Sequence, residues 1–307
     1  MKRYSYHLRS ILCGAFLLAA GLTQQAAAQS AGESPALLVP SGTQFFQNQY
    51  LGNPAMAGID SGLHLNAAYR RQWGSIEGAP ESMFFTADGP VARRVGAGLT
   101  VYNDKAGLMN RTRAALTYAY HLPVSDRGQF LHFGISGAMN FQRINYKDLD
   151  GDINDPSVSA FNRRDDYFEG EFGMAYTDRH WTLQAALPNI RSVVSGNNEA
   201  NGGSIFLTAA SYRFLPEGAV SLIEPKICYR GVRGFDNILD VGVNVGFLQN
   251  KANVMAMYHT SKSVTAGIGV NIRETLVIQA MYSTQTGGIK TYVDGSYEIG
   301  ATIHLFR

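Results

Sequence analysis

The feature that most constrains this chain is a period-two alternation of apolar with polar or small residues, repeated from about residue 61 to the end. Leu63, Leu65, Ala67 and Tyr69 alternate with His64, Asn66, Ala68 and Arg70. Leu131, Phe133, Ile135, Met139 and Phe141 alternate with His132, Gly134, Ser136, Asn140 and Gln142. Val264, Ala266, Ile268, Val270 and Ile272 alternate with Thr265, Gly267, Gly269 and Asn271. Successive side chains on a strand point to opposite faces, so each run makes a strand with one apolar and one polar-or-small face. No mature segment has the ~20 consecutive apolar residues of a membrane-spanning helix. Charged residues are only 16% of the chain, against about 25% in ordinary soluble domains. The 45% hydrophobic content excludes disorder. With 26 Lys+Arg against 24 Asp+Glu there is no basic excess to neutralise phosphates, so no nucleic-acid partner is expected.

The first residues belong to export rather than to fold. Lys2, Arg3 and Arg9 form a positive start, Ile11 to Leu22 an apolar stretch, and Ala26-Ala27-Ala28 a small-residue cleavage site. This is the pattern of a Sec-type signal peptide over residues 1–28. Its removal takes away Lys2, Arg3 and Arg9 and no acid, leaving 23 basic against 24 acidic residues. Cys228 is then the one remaining cysteine, so no intramolecular disulfide is available.

The alternating runs number about fourteen, an even count as expected of a bacterial single-chain barrel. The turns after even-numbered runs read as short: Asp88–Val91, Pro123–Arg127, Asp178–Arg179, Pro216–Gly218, Gln249–Asn250 and Arg273–Glu274. Several odd ones read as long, notably Lys147–Asp166, Asn189–Asn201 and Thr286–Val293, while Ser261–Lys262 departs from the rule. Short turns on one side and long loops on the other are the layout of an outer-membrane barrel. Tyr69, Arg71 and Trp73 fall on the apolar face at one strand end, where an interfacial girdle belongs. Glu298-x-Gly300-x-x-Ile303-x-Leu305-Phe306 resembles the C-terminal signal of such barrels. A soluble β-sandwich shares the alternation but not the loop asymmetry. The expected fold is thus an all-β, outer-membrane antiparallel β-barrel of about 14 strands over residues 61–307. Residues 29–60 are expected to form a short plug or periplasmic segment before it.

Residues that carry chemistry are sparse. The six mature histidines, His64, His121, His132, His180, His259 and His304, lack metal-site spacing, and there is no Gly-x-Ser-x-Gly motif. No catalytic residue and no resident cofactor are expected. Glu169 and Glu171 share one strand face and are expected to oppose Arg70, Arg111 or Arg113 in a polar lumen. One acidic cluster is sharper. Asp148, Asp150, Asp152 and Asn154, with a bend at Gly151, have the oxygen-ligand spacing of a Ca²⁺ loop; a solvated acidic turn is the plain alternative.

A series of short motifs then stands in order: Gln49-Tyr50, Asn53-Pro54-Ala55-Met56-Ala57-Gly58, Tyr69-Arg70-Arg71-Gln72-Trp73, Gly78-Ala79-Pro80, and Asp104 with Gly107. Over residues 47–107 this resembles the signature of the PorP/SprF family of type IX secretion system membrane proteins, with Met56 where the family has Tyr. Asn53-Pro54 disfavours helix at Asn53 and sets a turn, and Arg70 and Gln72 are expected to face the lumen and hold the segment before the first strand. The resemblance implies a non-enzymatic outer-membrane component of protein secretion and possibly gliding. Implied partners are outer-membrane lipid, other type IX secretion components, the C-terminal domain of a secreted adhesin, and an OmpA-like peptidoglycan-binding periplasmic protein. The alternative from residues alone is a porin or hydrophobic-substrate channel, its lumen lined by His64, Asn66, Arg70, Asn140 and Gln142.

Overall fold

Fourteen antiparallel strands close on themselves, each bonded to its neighbours in sequence, with the last pairing the first. The structure, a computed structural model, describes residues 42–74, 78–144, 166–190, 204–232, 236–285 and 295–306. The export signal over residues 1–28 and the acidic cluster Asp148, Asp150, Asp152 and Asn154 lie outside the described residues.

The strands are β1 (Leu63–Arg71), β2 (Glu81–Ala92), β3 (Val95–Ala106), β4 (Met109–Ser125), β5 (Gln129–Ile144), β6 (Tyr167–Thr177), β7 (Trp181–Leu187), β8 (Ser204–Tyr212), β9 (Val220–Val232), β10 (Ile238–Phe247), β11 (Ala252–His259), β12 (Ser263–Ile272), β13 (Leu276–Gln285) and β14 (Ser296–Leu305). Closure is made by Leu63↔Leu305 through Arg71↔Tyr297, which leaves no open edge for another chain to pair with. The fourteen runs of the sequence are these fourteen strands, and most ends fall within a few residues of expectation.

Two expected turns move, for one reason. The sequence places turns at Asp88–Val91 and Pro123–Arg127. Instead β2 continues through Pro90 to Ala92 and β4 through Pro123 to Ser125. A register shift lies immediately beyond each proline, between Pro90 and Ala92 and between Pro123 and Ser125. A bulge relaxes the demand for a ladder N–H, so proline is tolerated there. Connections after odd-numbered strands include the long 145–166, 188–203 and 286–295. The exceptions on that side are 107–108, not foreseen, and 260–262.

The outward face is apolar. Leu116 is 70% exposed, Ile268 61% and Ile135 57%, values that a protein in water would not sustain around a whole sheet. Aromatics ring both rims of this band. Tyr229, Tyr258, Tyr282 and Tyr297 project near the ends where odd-numbered strands finish, and Tyr69 packs on Tyr297 at 6.3 Å between ring centres. Tyr120, Trp181 and Phe214 mark the opposite end, with Trp181 edge-on to Tyr212 at 4.9 Å. An apolar band between two aromatic girdles is the surface of a membrane-spanning barrel.

The inward face is polar or small. Thr86, Thr117, Ser136, Gln184, Thr265 and Glu298 are all buried. A buried chain of bonds ties the wall together: Arg230 Nε donates to Asp240 Oδ2 at 2.8 Å, His259 Nδ1 meets Asp240 Oδ1 at 2.6 Å, and His259 Nε2 meets Thr265 Oγ1 at 3.1 Å. Pairing and hydrogen bonding offset the cost of burying these charges.

Candidate functional site

The inside of the barrel is occupied by the chain's own residues 42–60. Three short turns make up this segment: Thr43–Gln47, Gln49–Leu51 and Pro54–Met56. Asn53 is extended, at φ −150° and ψ 112°, as the sequence Asn-Pro requires. It caps the last turn, its Oδ1 accepting from Ala55 N at 3.0 Å, with Pro54 in the first helical position where no donor is missed.

Polar anchors fix the segment from nearly every side. Glu298 on β14 accepts from Gly42 N at 3.2 Å and Thr43 N at 3.0 Å. Lys226 on β9 donates to Phe45 O at 2.6 Å and to Gln49 Oε1 at 3.0 Å, with its ammonium 5.2 Å from the centre of the Phe45 ring. Gln47 donates to Thr302, Asn48 to Thr86 and Tyr50 to Thr117, at 2.7, 2.8 and 2.7 Å. Gln184 donates to Gln49, and Asn53 donates to Met174 O at 3.1 Å. Gly58, at φ +68°, donates its N–H to Asp88 at 2.9 Å. Burial pushes the Tyr50 phenol above its ordinary pKa, because the anion would lose its hydration.

Two packing surfaces complete the seat. Phe45 and Phe46, edge-on to each other at 4.9 Å, sit among Met255, Met257, Met281 and Cys228. Methionine suits this role because it is flexible enough to fill around an aromatic pair. On the other side, Gly96, Ala119, Gly134, Gly173 and Ala186 are successive cross-strand partners from β3 to β7. They form a row of small residues against which Asn53 to Ala57 lie. A Cβ on Gly134 would overlap the backbone of Pro54 and Ala55.

The signature residues of the sequence divide between two places. Gln49, Tyr50, Asn53, Pro54, Ala57 and Gly58 are in the luminal segment. The others build the corner where odd-numbered strands end. Gln72 N donates to Pro80 O at 2.9 Å, and Gly107 N donates to Gly78 O at 3.0 Å, which ties the β1–β2 and β3–β4 connections together. Gly78 and Gly107 have φ of +71° and +57°, where glycine is unstrained. Ala79, Arg70, Gln72 and Asp104 are buried there, Asp104 accepting from Ser82 at 2.7 Å. Tyr69 faces outward, and Trp73 ends the strand at φ +50°.

One expectation is corrected. Gln72 does not hold the luminal segment: its Nε2 is buried without a hydrogen-bond partner. Its backbone, not its side chain, carries its bond. The expectation that Glu169 and Glu171 oppose an arginine holds for Glu171. Glu171 pairs with Arg113, whereas Glu169 accepts from Asn140 at 3.0 Å and Asn189 at 2.6 Å. The anchors Lys226, Glu298 and Asp88 were missed altogether. The available signal was a charge on the inward register of a membrane strand. Asp240, His259 and Thr265 have the acid–imidazole–hydroxyl order of a nucleophile relay, but they are 0%, 0% and 2% exposed, and Thr265 also shares a bond with Ser283. They serve as a strut in the wall.

Comparison with known proteins gives the following. The sequence model of one family, described as "Type IX secretion system membrane protein PorP/SprF", matches residues 36–303. Comparison with curated proteins returns no match. Among solved structures, the CymD monoaromatic hydrocarbon channel is similar at 10% identity and a TM-score of 0.50, over 87% of this chain and 94% of that one. The Ralstonia pickettii toluene transporter TbuX is similar at 12% identity and 0.49, over 84% and 94%. The Acinetobacter baumannii outer membrane protein Omp33 is similar at 8% and 0.49, over 81% and 100%. At such identities the likeness speaks to fold alone.

Proposed function

The chain belongs to the PorP/SprF family of type IX secretion system membrane proteins, and from that premise we propose that it works as a docking barrel rather than a conduit. The observation that carries this reading is the luminal segment 42–60, bonded to strands around the ring. A barrel so filled has surfaces to offer, not a passage. In this reading the Sec-type signal over residues 1–28 is removed on export. Residues 29–60 then plug the barrel of residues 61–307 in the outer membrane. The short connections after even-numbered strands face the periplasm, where an OmpA-like peptidoglycan-binding protein and other secretion components dock. The connections after odd-numbered strands face outward and receive the C-terminal domain of a secreted adhesin or another substrate.

The test is affinity purification of the tagged protein from native outer membranes in mild detergent. Recovery of a secreted protein together with secretion components is the expected result. Recovery of the barrel alone, after cross-linking and in several detergents, would overturn the reading in favour of a channel.

A further inference from the structure

Above the luminal segment, where odd-numbered strands end, the wall encloses a cavity of about 220 Å³. Tyr50 and Pro54 contribute to its floor, and Tyr102, Arg111, Tyr167 and Glu169 to its sides. Arg111 stands out. It faces Asp104 across the β3–β4 ladder, but that carboxylate is bonded to Ser82. The Arg111 side chain makes no hydrogen bond and no ion pair among the described residues, and its Nε is buried without a partner. Its neighbour Arg113 is already satisfied by Glu171. A buried orphan donor on a guanidinium costs stability unless something supplies the acceptor.

We propose that this cavity binds the C-terminal carboxylate of a peptide, held in a fork by Arg111, with the last side chain against Tyr50 and Tyr167. The chemistry selects the ligand. Guanidinium presents parallel N–H donors that match a carboxylate. A phosphate dianion would meet Glu169 and Glu171 on the same walls, where Arg111 is the one lining cation without an ion pair among the described residues. The volume admits about one residue, and tyrosine faces favour an apolar or aromatic one. The proposal rests on the docking reading for the source of the peptide, since a free aromatic acid has the same head group.

The experiment uses the full chain purified in detergent and three probes followed by calorimetric titration: N-acetyl-Gly-Gly-Phe, the same peptide as its C-terminal amide, and 3-phenylpropanoate. The expected result is that the peptide acid binds about tenfold more tightly than either other probe. Arg111→Gln should abolish the difference between acid and amide, and Arg111→Lys should leave part of it. Heat-modifiable migration on gels confirms that each variant is folded. Equal binding of acid and amide, or an undiminished preference in Arg111→Gln, would overturn the proposal. Equal binding of phenylpropanoate and peptide would overturn it in favour of a small acid. If the peptide acid is preferred but no secreted protein co-purifies with the barrel, the docking reading fails and the cavity assignment stands. If a secreted protein co-purifies equally with Arg111→Gln and the peptide forms bind alike, the reverse holds.

Discussion

At the scale of single residues, the luminal segment depends on a few charged or hydroxyl groups aimed inward. Lys226 supplies donors to Phe45 O and Gln49 Oε1. Lys226→Met would fill similar space but leave Phe45 O unpaired in a dry site, with Gln49 Oε1 kept only by Gln184, at a cost of about 1–3 kcal/mol. Hydrogen exchange should show the amides of residues 43–51 opening at least severalfold faster in that variant, with strand amides unchanged. Tyr50 gives a pH signature. Its folded pKa lies above the ordinary value near 10, so the folded state keeps a proton that the unfolded chain releases. Stability from Tyr50 is therefore complete below about pH 10 and is lost as pH rises through the raised folded value. Tyr50→Phe should cost about 1 kcal/mol at neutral pH through the lost bond to Thr117, and should lose less than the native protein between pH 9 and 11. Denaturant titrations across that range measure both effects.

At the scale of elements, the row from Gly96 to Ala186 shows how a strand serves two solvents at once. Gly96 and Gly134 are small because backbone of Ala57 and of Pro54–Ala55 lies against them, and Gly173 because the side chains of Asn53 and Pro54 do, while outward neighbours such as Ile135 and Met174 carry the lipid-facing side chains. Gly134→Val would leave the outward register of β5 intact and place atoms where Pro54 and Ala55 run. The expected outcome is a barrel that still folds but releases the segment to limited proteolysis, with a cost of about 1–3 kcal/mol from overpacking. Gly137, which pairs Leu116 on the outward register of β5, is the control. Gly137→Ala meets only the end of the Phe168 ring and should leave protection of the segment unchanged. The strands themselves were legible because alternation reports on faces, and faces decide pairing. The ends of β2 and β4 were misplaced because the bulges beyond Pro90 and Pro123 cannot be read from local residues.

At the scale of the whole molecule, the closed ring and its contents separate into a membrane element and a filling. Deletion of residues 42–58 should leave a barrel that still inserts and resists detergent unfolding, since β1 to β14 keep their partners. Planar bilayers should then show steady conductance where the native protein shows little. Equal conductance of the two proteins would mean that the segment does not block the lumen.

The sequence by itself determined the number of strands, their order, the face each turns to lipid and, through residues 47–107, the family. Those properties follow from local periodicity and from motifs within one stretch of chain. Only the tertiary structure decided which inward residues meet the luminal segment. Glu298 lies 256 residues from Gly42, and Lys226 lies 181 from Phe45. Their meeting is set by the radius and stagger at which fourteen strands close, a property of the whole ring. The same closure leaves the Nε of Arg111 buried without an acceptor among the described residues, which no run of neighbouring residues records.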